Sequence, residues 1–132
     1  MLLVDSDVLI DVLEDASPWA DWSTLQLSRQ AMVHELTLNP VIYAEISPSY
    51  ELPAQLDSRL DQMEITFRDL SREALFLAGH VHRRYRRSGG LREQMLPDFL
   101  IGAHAMVLGC GILTRDARRY RNYFPRVPLV TP

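Results

Sequence analysis

Cysteine is nearly absent from the 132 residues, with Cys110 alone. No intrachain disulfide can form, and the several thiolates of a cysteine-based zinc centre are missing. The flanking Gly109 and Gly111 suggest a small packed residue at a helix-to-strand turn. Long apolar runs are also lacking. No stretch approaches the roughly 20 residues needed to cross a bilayer. The chain opens directly on strand-like sequence instead of a basic segment followed by a cleavable apolar core. These absences predict a cytoplasmic protein without membrane association. Lysine is missing altogether, and all 14 basic residues are Arg. Arginine favours forked contact with phosphate, but genome composition gives the same absence, so only the clustering of the arginines is informative. No internal repeat and no low-complexity segment is present.

What is there suffices for one core: 132 residues with 47% hydrophobic content predict a single domain spanning residues 1–132. The formal charge of -3 conceals a polarity along the chain. From His80 onward ten Arg face three acids, Glu93, Asp98 and Asp116. The C-terminal part is basic and the N-terminal part acidic.

The periodicities alternate between short apolar runs and helical faces. Residues 1–6 read as a strand, and Val8 to Leu13 as a helix whose exposed side carries Asp11 and Glu14. Ser17-Pro18 starts a helix through Trp19, Trp22, Leu25 and Met32. Residues 35–38 form a second strand and residues 41–46 a short helix. A helical face follows at Leu56, Leu60 and Met63, then a strand over 65–67. Ser71 opens a long helix reaching Arg87, and Ser88-Gly89-Gly90 is the clearest loop. Pro97-Asp98 opens a helix to Leu108. A strand over 112–114, a short helix from Ala117 to Tyr123 and a last strand over Val127-Leu129-Val130 complete the chain. Short apolar strands separated by helices predict an α/β fold with a mainly parallel central sheet flanked by helices on both faces.

Four acidic residues hold the chemistry. Asp5 ends the run Leu2-Leu3-Val4, Glu45 follows Val41-Ile42-Tyr43-Ala44, Asp98 opens a helix, and Asp116 closes Gly111-Ile112-Leu113-Thr114-Arg115. In a parallel sheet, ligands bind at the carboxyl ends of the strands beside a topological switch point. Asp5, Glu45 and Asp116 are directed to that rim, and Asp98 completes the set if its helix begins there. Gathered carboxylates repel one another unless a cation neutralises them. Magnesium, an all-oxygen binder that works alongside substrate phosphate, suits them and points to phosphodiester hydrolysis. Each acid also has a plainer explanation: Asp98 and Asp116 as helix-starting residues, Glu45 as an exposed helical side chain. The joint arrangement is what favours a site.

The segments Val4-Asp5-Ser6-Asp7-Val8-Leu9-Ile10-Asp11, Asn39 to Ile46 with Glu45, Pro97-Asp98-Phe99-Leu100-Ile101-Gly102-Ala103-His104-Ala105 and Leu113-Thr114-Arg115-Asp116 closely resemble the PIN-domain ribonucleases. Among these, the VapC-like toxins of type II toxin–antitoxin pairs match the length best. The resemblance spans essentially the whole chain in order. It implies a PIN-like fold and a catalytic and metal-binding set of Asp5, Glu45, Asp98 and Asp116, served by Mg2+ with Mn2+ as a substitute. Ser6 and Thr114 support these acids, Thr114 orienting Asp116 through its hydroxyl. Asp7 falls where the family often has Asn or Ser, and as an acid it is a further candidate ligand. The resemblance also implies endonucleolytic cleavage of RNA that inhibits translation and growth, a homodimer, and a cognate antitoxin that covers the active site. DNA is then contacted only through that antitoxin. Trp19 and Trp22 are left open between core, dimer and antitoxin contacts.

The run His80-Val81-His82-Arg83-Arg84-Tyr85-Arg86-Arg87, with Arg92 beyond the Gly-Gly loop, is the expected RNA-backbone patch. Arg115 joins it, and Tyr85 is a candidate for stacking on an unpaired base. A solvated helix end, where Arg complements the macrodipole, is the plainer alternative. His80 and His82, two apart on a helix, make a poor metal pair, and His34 and His104 are read as packing or surface residues. Two other functions compete. Asp5-Ser6-Asp7-Val8-Leu9 also resembles the nucleophile loop of haloacid-dehalogenase-like phosphatases, with Asp5 as nucleophile and Asp7 as general acid. That family commonly uses a Lys, absent here, and Glu45 would have no part. A non-catalytic PIN-like module binding RNA or protein is the other, against which the intact acidic set argues.

Overall fold

The computed structural model describes residues 1–15, 17–90 and 95–132. Five strands, β1 (Leu2–Val4), β2 (Leu36–Leu38), β3 (Thr66–Phe67), β4 (Gly111–Leu113) and β5 (Leu129–Val130), form one sheet in the order β3-β2-β1-β4-β5. Every pairing is parallel: Leu2 lies opposite both Leu36 and Gly111, and Val4 opposite Leu113. The helices are α1 (Ser6–Glu14), α2 (Ala20–Ala31), α3 (Pro40–Ile46), α4 (Pro53–Gln62), α5 (Arg72–Arg87) and α6 (Leu96–Leu108), with 3₁₀ turns at Ser47–Ser49 and Ala117–Arg119. Parallel strands cannot be joined by a tight hairpin. Each connection accordingly carries helix, down to a single 3₁₀ turn between β4 and β5.

The three central strands are continuously apolar because both faces are covered. Leu2, Leu3, Val4, Leu36, Leu38, Ile112 and Leu113 are all buried. Thr37, the polar exception, is buried with its hydroxyl on the Leu2 carbonyl at 3.4 Å. Helix starts follow side-chain chemistry: Asn39 accepts from the Ile42 N–H and Ser71 from the Ala74 N–H. Helix α6 ends at Gly109, whose φ of 67° is the left-handed stop that glycine permits. Buried Cys110 follows between helix and strand, as its glycine flanks suggest.

The sequence places the strands and α-helices but not the 3₁₀ turn Ser47–Ser49, and the other differences are local. Strand β1 stops at Val4, so that Asp5 caps α1 and Ser6 is its first residue. The helix expected from Ala117 to Tyr123 shrinks to the 3₁₀ turn Ala117–Arg119. Asp11 corrects an expectation: it is 1% exposed, not on an outer face. It stands three residues after buried Val8, on the same side of the helix, and α2 covers that side with the Ser23 hydroxyl 2.6 Å from the Asp11 carboxylate. No helix among the described residues is long and apolar enough to cross a membrane.

Helix α6 lies close under the chain that follows the second 3₁₀ turn. A Cβ added to Gly102 would stand 2.3 Å from Cδ2 of the fully buried Phe124 ring. Gly102→Ala should therefore destabilise the fold. Overpacking of about 1–3 kcal/mol outweighs the roughly 1 kcal/mol gained in helix propensity. A lowered urea midpoint checks this, whereas an unchanged or raised midpoint would mean that Phe124 can swing aside.

Candidate active site

The sheet order reverses direction at β1, which has β2 on one side and β4 on the other. This switch point puts the residues following β1 and β4 at one rim. Asp5 follows β1, and its N–H donates to the Leu113 carbonyl of β4 at 2.9 Å. Its carboxylate is 0% exposed. A buried charge persists only when paired and hydrogen-bonded, and Asp5 is saturated. It accepts from the Ser6 N–H at 2.8 Å, from the Thr114 and Tyr120 hydroxyls at 2.8 Å each, and from the Arg119 Nη1 at 2.9 and 3.0 Å.

Arg119, at the end of the 3₁₀ turn, is the hub of the rim. Besides Asp5 it donates through Nε to Asp98 Oδ1 at 2.5 Å, and its Nη2 lies 3.7 Å from Glu45 Oε2. Three of the four acids expected from the sequence thus converge on one guanidinium. They arrive from β1, α3 and α6. Asp98 reaches it from the first turn of α6, where its other oxygen accepts from the Met95 N–H at 3.1 Å. It is thus both the helix-starting acid and a member of the cluster. Burial alone would lower the pKa of Arg119, but Asp5, Tyr120 and Asp98 together hold it above the ordinary arginine value. The Tyr120 phenol is raised well above its usual range, first by burial and then by Asp5.

Asp7 lies beside this cluster. Its Oδ2 accepts from the Arg115 N–H at 3.0 Å, while its buried Oδ1 has no hydrogen-bond partner among the described residues. Burial, then the neighbouring Asp5 charge, pushes its carboxyl up to about 6. Glu45 is also raised, first by burial and against the opposing pulls of Arg119 and the Ser6 side chain, and its buried Oε1 has no close hydrogen-bond partner among the described residues. Asp116 stands further out. Its side chain is 40% exposed, accepts from the Arg118 N–H at 3.1 Å to cap the 3₁₀ turn, and has the Arg118 Nε at 3.5 Å. Thr114 holds the backbone there, its hydroxyl accepting from the Asp116 N–H at 3.0 Å while donating to Asp5.

Two residues expected to touch RNA are occupied elsewhere. Arg115 grips buried Asp11 through Nε at 2.7 Å and Nη2 at 3.0 Å and lies over the Trp19 ring, its centre 5.6 Å from the centroid. Tyr85 is buried between Phe99 and Tyr123, with centroid separations of 5.4 Å to each. It follows Ala74, Ala78 and Val81 on the core-facing side of α5, so its ring is not a surface platform for bases. Arg83, Arg84, Arg86 and Arg87 are exposed. Gly79, His82, Arg83, Arg86 and Arg87 line a basic cleft of about 360 Å³. Contacts of His82 and Tyr85 with Phe99 set this end of α5 against the turn of α6 that carries Asp98. Arg92 lies outside the described residues. Trp19 and Trp22 meet edge to face at 6.1 Å, Trp19 partly exposed and Trp22 half-buried.

Arg119, Tyr120 and the buried Asp11 are site components that the sequence did not single out. A further one is His104, buried on α6 with its Nδ1 3.1 Å from the Asn39 amide nitrogen. Asn39 caps α3, so this contact ties the helix carrying Glu45 to the helix carrying Asp98. Burial lowers the His104 pKa and keeps the ring neutral, the state in which Nδ1 can accept.

Whether the acids suit a divalent ion is a matter of donor chemistry. They are all carboxylates, and two buried oxygens, Asp7 Oδ1 and Glu45 Oε1, lack close hydrogen-bond partners among the described residues. Oxygen donors of this kind fit magnesium or manganese. Among the described residues, however, no three His, Cys, Asp or Glu side chains stand where they would close on an ion. Arg119 separates those that converge.

Tyr120→Phe should lower stability by about 1–2 kcal/mol, since a buried charged acceptor loses a donor; an unchanged thermal midpoint would mean that Asp5 is satisfied without it. Asp7 supplies a pH dependence. Its folded-state pKa lies above the unfolded value, so its contribution to stability is complete below about 3.8 and is lost as pH rises through about 6. In chelator, the fall in unfolding free energy between pH 5 and 7.5 should be smaller in Asp7→Asn, and parallel curves would refute the assignment.

A family model described as PIN domain matches residues 2–125. No curated protein matches. Solved structures with the same fold include VapBC2 from Rickettsia felis bound to a DNA fragment from its promoter, at 16% identity and a TM-score of 0.75 over 98% of this chain and 97% of that one. Another is VapBC-1 from nontypeable Haemophilus influenzae, at 11% identity and a TM-score of 0.72 over 98% and 96%. A third is a toxin–antitoxin complex from Klebsiella pneumoniae, at 19% identity and a TM-score of 0.66 over 100% and 98%. The switch-point sheet, the acids gathered at its rim and a family match over most of the chain lead to one assignment: the chain belongs to the PIN-domain family.

Proposed function

We propose that this chain is a divalent-metal-dependent endoribonuclease and the toxin of a toxin–antitoxin pair. The observation that carries the reading is the convergence of Asp5, Glu45 and Asp98 on a single cation at the switch point. Asp5, Glu45 and Asp98 are the residues that would hold Mg2+ or Mn2+, with Asp7 and Asp116 at the margin. A bound ion at such a site supplies an activated water and neutralises charge building on a scissile phosphodiester. The chain's own contribution is orientation. Ser6, Thr114 and Tyr120 fix the Asp5 carboxylate, and the Met95 N–H fixes that of Asp98.

The basic cleft on α5 is the proposed track for the RNA backbone. Arg83, Arg86 and Arg87 share one exposed face, opposite the buried Ala78, Val81 and Tyr85. Phosphate contacts of this kind position a strand without reading its sequence. Likeness to toxin–antitoxin assemblies supports a cognate antitoxin; a homodimer and DNA contact only through that antitoxin are what the family resemblance implies, and a cytoplasmic location completes the proposal. The phosphatase alternative fits less well. It leaves Glu45, which converges with Asp5 and Asp98 on Arg119, without a part, and the family model over residues 2–125 is the PIN domain.

Purified protein should cleave cellular RNA into discrete fragments in magnesium or manganese and not in chelator. Asp98→Asn, which alters an acid less central to the fold than Asp5, should reduce cleavage at least about a hundredfold while preserving the circular dichroism spectrum. Cleavage surviving in the folded variant would remove Asp98 from the active set, and its absence in every metal would refute the nuclease. Arg86→Ala and Arg87→Ala should each lower the slope of log affinity against log salt by about one or less. Unchanged slopes would reduce the cleft to a solvated helix face.

A further inference from the structure

We propose that Arg119 is the resident cation of the acidic site and is exchanged for the divalent ion, leaving Asp5, Glu45 and Asp98 when the ion binds. The inference rests on the metal-dependent reading above and adds an internal competitor to it. Its basis is positional. The guanidinium contacts Asp5, Asp98 and Glu45 at 2.9, 2.5 and 3.7 Å, with its side chain only 17% exposed. These are the acids that the family resemblance assigns to the ion. An ion taking oxygens from any two of them requires the room that the guanidinium fills.

Charge leads to the same conclusion. Three carboxylates drawn together without a cation would repel, and burial would push their protons back on. Arg119 removes that repulsion in the absence of metal, so the rim is assembled before an ion arrives. It also explains why no three acids among the described residues close on an ion. The acids are arranged around a flat fork instead of a sphere.

Nothing covalent pins Arg119 in place. Exchange needs only its side chain to swing away from the acids, since the Tyr120 hydroxyl keeps the turn on Asp5. The neighbouring arginine in the same segment, Arg115, differs in kind. It pairs with Asp11, which lies apart from the three acids and is backed by Ser23. Exchange therefore applies to Arg119 and not to Arg115. The consequence is a site whose metal affinity is set below what its carboxylates alone would give.

Two measurements on the full chain test this. In the unmutated protein, the Nε–H resonance of Arg119, held by Asp98, should be protected from solvent exchange without metal. It should lose that protection as Mg2+ is titrated, while the Arg115 Nε–H on Asp11 stays unchanged as an internal reference. By calorimetry, Arg119→Gln should bind Mg2+ or Mn2+ about tenfold tighter or more, as expected for removing a unit charge in contact with the ligands. Arg121→Gln, an exposed charge two residues on, should change affinity by less than about threefold. Metal binding by Arg119→Gln alone, with none by the unmutated chain, would overturn the exchange, since Arg119 would then bar the ion instead of yielding to it. Mg2+ binding that leaves the Arg119 resonance protected, or equal tightening in the two variants, would overturn the exchange and leave the nuclease reading standing. Absence of binding in both the unmutated chain and a folded Arg119→Gln would overturn both.

Discussion

The carboxylate of Asp5 is a charge with no access to water, and the functional rim is built around keeping it there. Removing an ion from water costs several kcal/mol, which only close and well-directed partners offset. Asp5 draws them from separate parts of the chain: Ser6 at the start of α1, Thr114 just past β4, and Arg119 and Tyr120 around the second 3₁₀ turn. Satisfying one buried acid therefore fixes the positions of several other site groups. Glu45 and Asp98 then arrive on helices whose ends are themselves tied together through Asn39 and His104.

A second buried acid repeats the device a short way along α1. Asp11 holds Arg115 and Ser23 as Asp5 holds Arg119. The segment from Thr114 to Tyr120 is thus laced to α1 by two ion pairs, with Arg115 also resting on Trp19. Asp7 sits between the two anchor points. It accepts the Arg115 N–H but has no full counter-charge, which is why burial raises its carboxyl where its neighbours find cations. One strained acid between two saturated ones is the electrostatic signature of this rim.

Much of this architecture was legible from the residues. The apolar runs ending in Asp5 and preceding Asp116, and the Pro-Asp helix start at Asp98, gave the strand ends and their shared rim because burial on both faces leaves a continuous apolar signature. Arg119 and Tyr120 were not legible for the same physical reason. They lie in a stretch of several arginines on an irregular turn, where no periodicity marks one side chain as inward. Asp11 was misjudged because acidity was weighed above its position, three residues from Val8. Tyr85 was misjudged because an aromatic among arginines suggests a nucleic-acid platform, whereas its spacing from Ala74, Ala78 and Val81 already placed it on the buried side of α5.

The bond from Thr114 to Asp5 spans 109 residues and that from Tyr120 to Asp5 spans 115. Contacts of such separation are slow to form and come late, after the loop between them has closed. During synthesis, β1 emerges early with its acid facing an incomplete sheet, and β2 and β3 can pair beside it well before β4 exists. No partial chain ending before Tyr120 can assemble the rim. A ribosome therefore carries a chain with an unassembled rim for most of the time it takes to make one, and the acids gather only when the last turns of the fold have left the exit tunnel.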